Sequence, residues 1–226
     1  MTDAIRHRGP DGEGQYVDGS LGLGHRRLSI LDLTEAGSQP MASADGNCVI
    51  SYNGEVYNFG ELRQDLEKKG HTFRSQTDTE VVLNAYVEWG TDCVDHFNGM
   101  FAFAIWDKRC QRLFLARDRF GVKPLYYWHK GEHFVFASEI KAMLTLPRFS
   151  AEVWPEALNE YFTFQNIFSD RTLFKEVRLL PAGHTLTLEK TKGKTPIVSR
   201  YWDFDFCSSE LSMAEAEEQL FDLFER

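Results

Sequence analysis

Two kinds of hydrophobic pattern divide the chain. Short apolar runs predict strands at Gly22 to Ile30, Cys48 to Tyr52, Met100 to Trp106, Arg112 to Ala116, Leu125 to Trp128, His133 to Ala137, Leu179 to Leu188 and Val198 to Phe206. The second run is expected to end in an Asn53-Gly54 turn, and Lys130-Gly131 joins the fifth run to the sixth. The runs alternate poorly and are rich in Phe, which suits strands covered on both faces. Helical spacing marks Phe59 to Lys69, where Leu62 and Leu66 share a face and Gly70 is the stop. A second helix opens at Thr77 or Asp78, runs through Val81, Val82, Ala85 and Tyr86, and ends at Gly90. Shorter helical pieces are predicted at Cys93 to Phe97, Ser138 to Leu146 and Trp154 to Phe162. Strands clustered in sequence, with helices grouped between them, give an α+β class.

The far end of the chain adds a capping box, Ser212-Met213-Ala214-Glu215, followed by an apolar face of Leu220, Leu223 and Phe224. This helix reaches Arg226 with no Gly, Asn or Pro to stop it, so it reads as cut. Residues 207–226 are therefore expected to be a linker and the first helix of a further domain, after a main domain spanning 1–206.

Composition narrows the functional classes. Hydrophobic residues make up 42% and aromatic residues 14% of 226, ample for a packed core. A net charge of −9 disfavours nucleic acid or an anionic membrane as partner. No apolar run approaches the roughly 18 residues of a membrane span, and no apolar signal core stands at the N-terminus. Cys48, Cys93, Cys110 and Cys207 form no Cys-x-x-Cys pair, so reduced thiols in the cytoplasm are expected. The histidines show no ligand spacing, and no metal site is expected.

Three places carry candidate chemistry. Arg27, in His25-Arg26-Arg27-Leu28-Ser29-Ile30, offers a guanidinium that clamps a carboxylate, or else forms an ordinary surface ion pair. Asn53-Gly54 is either a hairpin turn or a side-chain amide beside a backbone N–H, two donors for a developing oxyanion. Asp78 is either a helix N-cap or an anchor for an ammonium group; the two roles are compatible. Arg117-Asp118-Arg119 reads as an intradomain ion-pair network. As a replacement nucleophile Cys48 is unsuited, because five residues along a regular strand put it on the opposite face from Asn53.

Five blocks then occur in order: Arg6-His7-Arg8-Gly9-Pro10-Asp11-Gly12-Glu13-Gly14, His25 to Ile30, Tyr52-Asn53-Gly54-Glu55-Val56-Tyr57-Asn58, Asn98-Gly99-Met100-Phe101-Ala102-Phe103-Ala104, and Arg117 to Tyr126. Together they resemble the class II glutamine amidotransferase domain of glutamine-hydrolysing asparagine synthetases. The resemblance implies a four-layer α/β/β/α sandwich of antiparallel sheets of the N-terminal-nucleophile hydrolase type. It assigns Asn53 and Gly54 to the oxyanion hole. It assigns Arg27, Leu28, Ser29, Ile30, Leu31, Asn53, Gly54, Glu55 and Asp78 to glutamine, with Arg27 on the α-carboxylate and Asp78 on the α-ammonium. The family's nucleophile is a cysteine at the mature N-terminus, on a strand well upstream of the Arg-His-Arg-Gly-Pro-Asp block; here Met1 to Ile5 alone precede that block. The first strand is thus expected to be missing and these residues to be inactive by themselves. The resemblance further implies a separate synthetase domain that uses ATP and magnesium to amidate aspartate, and leaves a homodimer of the intact enzyme open. Two other readings stand: a non-catalytic glutamine-binding or structural module, and a relative of β-lactam synthetases whose N-terminal half has lost its nucleophile.

Overall fold

The computed structural model describes residues 1–29, 34–189, 195–207 and 211–225. A short 3-10 helix, Thr2–Arg8, leads into the hairpin β1 (Gly12–Asp18) and β2 (Leu21–Arg27). There follow β3 (Met41–Ala42), β4 (Cys48–Val56), α1 (Phe59–Lys68), α2 (Asp78–Trp89), β5 (Gly99–Asp107) and β6 (Arg112–Arg117). The second half holds β7 (Tyr126–Lys130), β8 (His133–Ala137), α3 (Ile140–Met143), α4 (Pro155–Phe164), β9 (Val177–Leu179), β10 (His184–Glu189), β11 (Ile197–Arg200) and α5 (Met213–Glu225).

These strands build a six-stranded sheet in the order β11-β10-β6-β5-β4-β3 and a three-stranded sheet in the order β8-β7-β9, with the β1-β2 hairpin apart. Every pairing is antiparallel. The period of two explains why the central runs do not alternate in polarity. Ile50, Tyr52, Phe101, Phe103 and Phe114 face Leu62 and Leu66 of α1 and Val82 and Tyr86 of α2. Val49, Ala104, Trp106 and Leu115, on the other face, pack on Leu23 of the hairpin and on Leu125 and Tyr127. Beyond that layer, Trp128, Ala137 and Val177 meet Ala142 and Met143 of α3. The result is the α/β/β/α sandwich.

Several sequence expectations are corrected. Asn53-Gly54 is not a turn: β4 continues to Val56, and its register with β5 is unbroken through Asn53↔Ala102 and Gly54↔Phe101. The glycine serves close packing, since a Cβ on Gly54 would lie 2.2 Å from Met100 O and 2.6 Å from Phe101 Cα. The charged Arg6–Gly14 segment is a helix end plus the start of β1, held by Arg26, which bonds Asp3, Glu13 and Thr2 O. The run Leu179 to Leu188 splits into β9 and β10, which belong to different sheets. Gly183, at φ 67°, turns the chain where a side chain would strike Trp202 O. The run from Val198 yields strand only to Arg200, and the helix from Ser138 shortens to α3. The capping box forms as read: Ser212 Oγ donates to Glu215 and accepts from its amide. No helix among the described residues is long and apolar enough to cross a membrane.

Candidate active site

A cleft of about 800 Å³ runs between β2 and β8, floored by β4 and β5. Arg27, Leu28, Asn53, Gly54, Glu55 and Asp78 all line it, although they come from three separate elements and their connections. Ser29 is not in the lining; its amide donates to Asp11 Oδ2 at 2.8 Å. Ile30 and Leu31 lie outside the described residues.

The geometry of β4 produces an unpaired donor. The amides of Tyr52 and Val56 point away from β5, because they donate to Gln39 Oε1 at 2.7 Å and to Asp78 Oδ2 at 3.0 Å. In a regular antiparallel strand the intervening even-numbered amide, that of Gly54, points the same way. Its opposite number, Phe101, likewise donates outward, to Asp118 Oδ2 at 3.2 Å. Gly54 N–H is therefore an edge donor at the cleft, flanked by two amides already satisfied by side chains. Asn53 supplies a second donor. Its Nδ2 is buried, has no hydrogen-bond partner, and belongs to a residue that lines the cleft. A buried unpaired donor is costly, of the order of 1–3 kcal/mol, so Asn53 Nδ2, next to the edge amide of Gly54, is a place for an acceptor.

Arg27 stands at the end of β2 opposite Gly12, where the 3-10 turn Glu35–Gly37 packs against its guanidinium. Nη1 donates to Thr34 O at 2.8 Å, and a Cβ on Gly37 would come within 2.3 Å of Nη2. Arg27 is thus held in place by backbone. On the far side Asp78 is 5% exposed and is the first residue of α2. Thr77 takes the capping role, accepting from Glu80 N, which leaves the Asp78 carboxylate for other partners. Oδ2 accepts from Tyr52 Oη at 2.6 Å and from Val56 N. Burial raises the Asp78 pKa, opposed by the bonds from Tyr52, Val56 and Thr79 and reinforced by Glu55. Burial, then Asp78 itself, holds the Tyr52 phenol well above its usual range, so Tyr52 remains the donor. His25 also lines the cleft; burial and then Arg27 lower its pKa to about 4, so it is neutral near pH 7.

Asp118 and Arg117 act from beneath. Asp118 is fully buried and accepts from the amides of Phe101, Phe120, Val122 and Lys123. Arg117 donates to the carbonyls of Lys123, Leu180 and Gly121. The expected ion-pair network is instead charge bound to backbone, which fixes the loop after β6 and the strand opposite Gly54. No cysteine lines the cleft among the described residues. Cys48 faces α2 with Ile50 and Tyr52, and burial pushes its thiol up to about 12. Sequence reading assigned no role to Tyr52, Gln39 or His25. No local signal marks Tyr52, because its partner Asp78 lies 26 residues away and meets it only through packing of α2 on β4.

Residues 1–202 match the family model described as a glutamine amidotransferase domain. The chain is 42% identical over 208 residues to Asparagine synthetase [glutamine-hydrolyzing] 3 of Bacillus subtilis, covering 91% of this chain and 33% of that protein. It is 41% identical to Asparagine synthetase [glutamine-hydrolyzing] 2 of the same organism, over 89% of this chain and 27% of that protein. The chain thus spans about a third of the length of the curated relatives it matches. Among solved structures, the glutamine phosphoribosylpyrophosphate amidotransferase of B. subtilis superposes with a TM-score of 0.62 at 19% identity, over 89% of this chain and 45% of that one.

Proposed function

This chain belongs to the glutamine amidotransferase domain family, and from that premise we propose that its cleft binds glutamine and holds the side-chain amide ready for nucleophilic attack. The observation that carries this reading is that Gly54, whose N–H points outward from β4, and Asn53, whose Nδ2 is unpaired, line the cleft that Arg27 and Asp78 also line. Arg27 takes the α-carboxylate and Asp78 the α-ammonium, which directs the carboxamide toward Asn53 and Gly54. Attack of a thiolate on the amide carbon would move charge to the carbonyl oxygen, the atom these two donors are proposed to receive. Collapse of that intermediate, with the proton given up by the thiol passed to the leaving nitrogen, expels ammonia and leaves a thioester, which water converts to glutamate and the free thiol. The ammonia would serve amidation of aspartate in the longer protein, an ATP- and magnesium-dependent reaction outside these residues. The 226 residues by themselves are proposed to bind glutamine without turning it over, because the thiols they carry face away from the cleft or lie elsewhere.

Isothermal titration with glutamine tests the assignment. Arg27→Ala and Asp78→Ala each remove a charge-assisted contact of about 1.5–3 kcal/mol, a loss of roughly ten- to hundredfold in affinity. Asn53→Ala should change affinity less than about threefold, because its amide serves charge that develops during attack. A loss with Asn53→Ala equal to that with Arg27→Ala, beside an unchanged Asp78→Ala, would refute the roles. Ammonia release should be undetectable in a coupled assay, and turnover abolished by Cys48→Ala would overturn the assignment of that thiol to the core.

A further inference from the structure

We infer that Tyr52 is a positioning residue for the ammonium site: its hydroxyl, with the Val56 amide, pins one oxygen of Asp78 and so turns the other toward the ligand. The inference rests on the glutamine reading above and extends it to a residue whose hydroxyl is engaged by Asp78.

The geometry is specific. Tyr52 is 4% exposed, with its ring packed in the core between β4 and α2. Its Oη reaches Asp78 Oδ2 at 2.6 Å, and Val56 N reaches the same oxygen at 3.0 Å. Both bonds fall on Oδ2 and, with the amide of Thr79, hold the carboxylate, while Oδ1 is the oxygen proposed for a cation in the cleft. A carboxylate at the start of a helix otherwise has two rotamer choices, and its own helix amides attract it. Two donors from one neighbouring strand remove that freedom and fix the carboxylate plane to β4, the element that carries Asn53 and Gly54. The ammonium site and the oxyanion donors thereby share one rigid support, which sets the distance between the two ends of a bound glutamine. Tyr52 further donates a hydrogen bond that favours the charged form of a carboxylate that burial pushes toward its neutral form. A neutral Asp78 would hold an ammonium far less well.

Tyr52→Phe keeps the ring and removes only the hydroxyl, and two measurements on the 226-residue protein decide the matter. In carbon-13 NMR the Asp78 carboxyl of the ligand-free protein should titrate at higher pH in Tyr52→Phe than in the parent. Glu55 on β4 and Arg27 and His25 on β2 share the cleft and are the same in both proteins. An unchanged midpoint overturns the anchoring role, and the same spectra report whether the variant is folded. By calorimetry, glutamine affinity should fall about five- to tenfold, less than on removing Asp78 itself, because the ammonium keeps its carboxylate and loses only that group's fixed orientation. Unchanged glutamine affinity with a shifted midpoint overturns the positioning role alone. No glutamine binding by the parent, again with a shifted midpoint, overturns the glutamine reading and with it this inference. If the variant does not fold, titration of the parent with and without saturating glutamine tests the coupling directly. The Tyr52 Cζ resonance should follow the Asp78 titration and lose that response when glutamine is bound; independence of the two resonances overturns the coupling.

Discussion

Asp78 answers two opposed demands. Stability favours its neutral form, because burial raises its pKa, while the ammonium capture proposed for it requires the charge. The sign of the pH dependence follows. A carboxyl whose folded pKa is raised contributes stability that is fully present below about pH 3.8, its unfolded value, and is lost as pH rises through the folded pKa. Asp78→Asn removes that loss while keeping an oxygen to accept from Tyr52 and Val56. The variant should therefore melt with the parent in acid and a few degrees above it near pH 7, where each kcal/mol is about 2–4 °C for a chain this long. Differential scanning calorimetry at both pH values checks this, and a variant that melts lower at pH 7 would show that the ionised form is the stabilising one. Asn53 makes a parallel concession, since its buried Nδ2 lacks a partner. Both residues line the cleft, and each bears a cost that folding alone does not repay.

At the scale of the element, β4 is the part on which the site depends. Its even positions build the core against the helices, its odd positions face the cleft, and its free edge carries Gly54 N–H. A side chain at Gly54 meets backbone on β5, which cannot yield without breaking the pairing that Asp118 reinforces. Gly54→Ala should cost about 3 kcal/mol, the upper end of overpacking penalties. Gly60, in α1, has open space around its Cβ position, so Gly60→Ala should gain about 0.5–1 kcal/mol from helix propensity. Urea denaturation of the two variants beside the parent measures the contrast. Comparable effects would mean that β5 relaxes more freely than its packing indicates.

The whole molecule carries an unusual amount of uncovered aromatic surface. Phe120, Trp202, Phe204 and Phe206 contact one another in series, and Phe206 is 89% exposed. Phe162, Phe164 and Phe168 are exposed near α4, as are Leu220, Phe221, Leu223 and Phe224 on α5. Contiguous apolar surface of this kind drives association in water. The 226-residue chain should self-associate in a concentration-dependent manner by multi-angle light scattering, and Phe204→Ser with Phe206→Ser should reduce it. A monomer at all concentrations with a sharp, reversible melt would count against this.

Local chemistry determined much of this protein. The apolar runs and the glycine stops placed α1, α2, β5, β6 and β8, and Ser212 with Glu215 capped α5, because these features depend on neighbours a few residues away. Parity along one strand separated Cys48 from Asn53, for side-chain direction follows from counting when a strand is regular. The family motifs named residues that prove to line one cleft, from Arg27 at the end of β2 to Asp78 at the start of α2. Other matters lay beyond sequence. Asn53-Gly54 has the composition of a turn, and only the presence of β5, more than forty residues later in the chain, makes it strand. Leu179 to Leu188 is one apolar run, divided because its halves pair with β7 and β6 in different sheets. Arg117 and Asp118 look like partners in an ion pair, yet each is occupied by backbone: Asp118 by the loop that follows it, and Arg117 by that loop and by Leu180. The Tyr52–Asp78 bond spans 26 residues and exists because the start of α2 packs over the edge of β4. Residues fix what each segment can do; long-range pairing selects which of those options removes the most apolar surface and leaves the fewest polar groups unpaired.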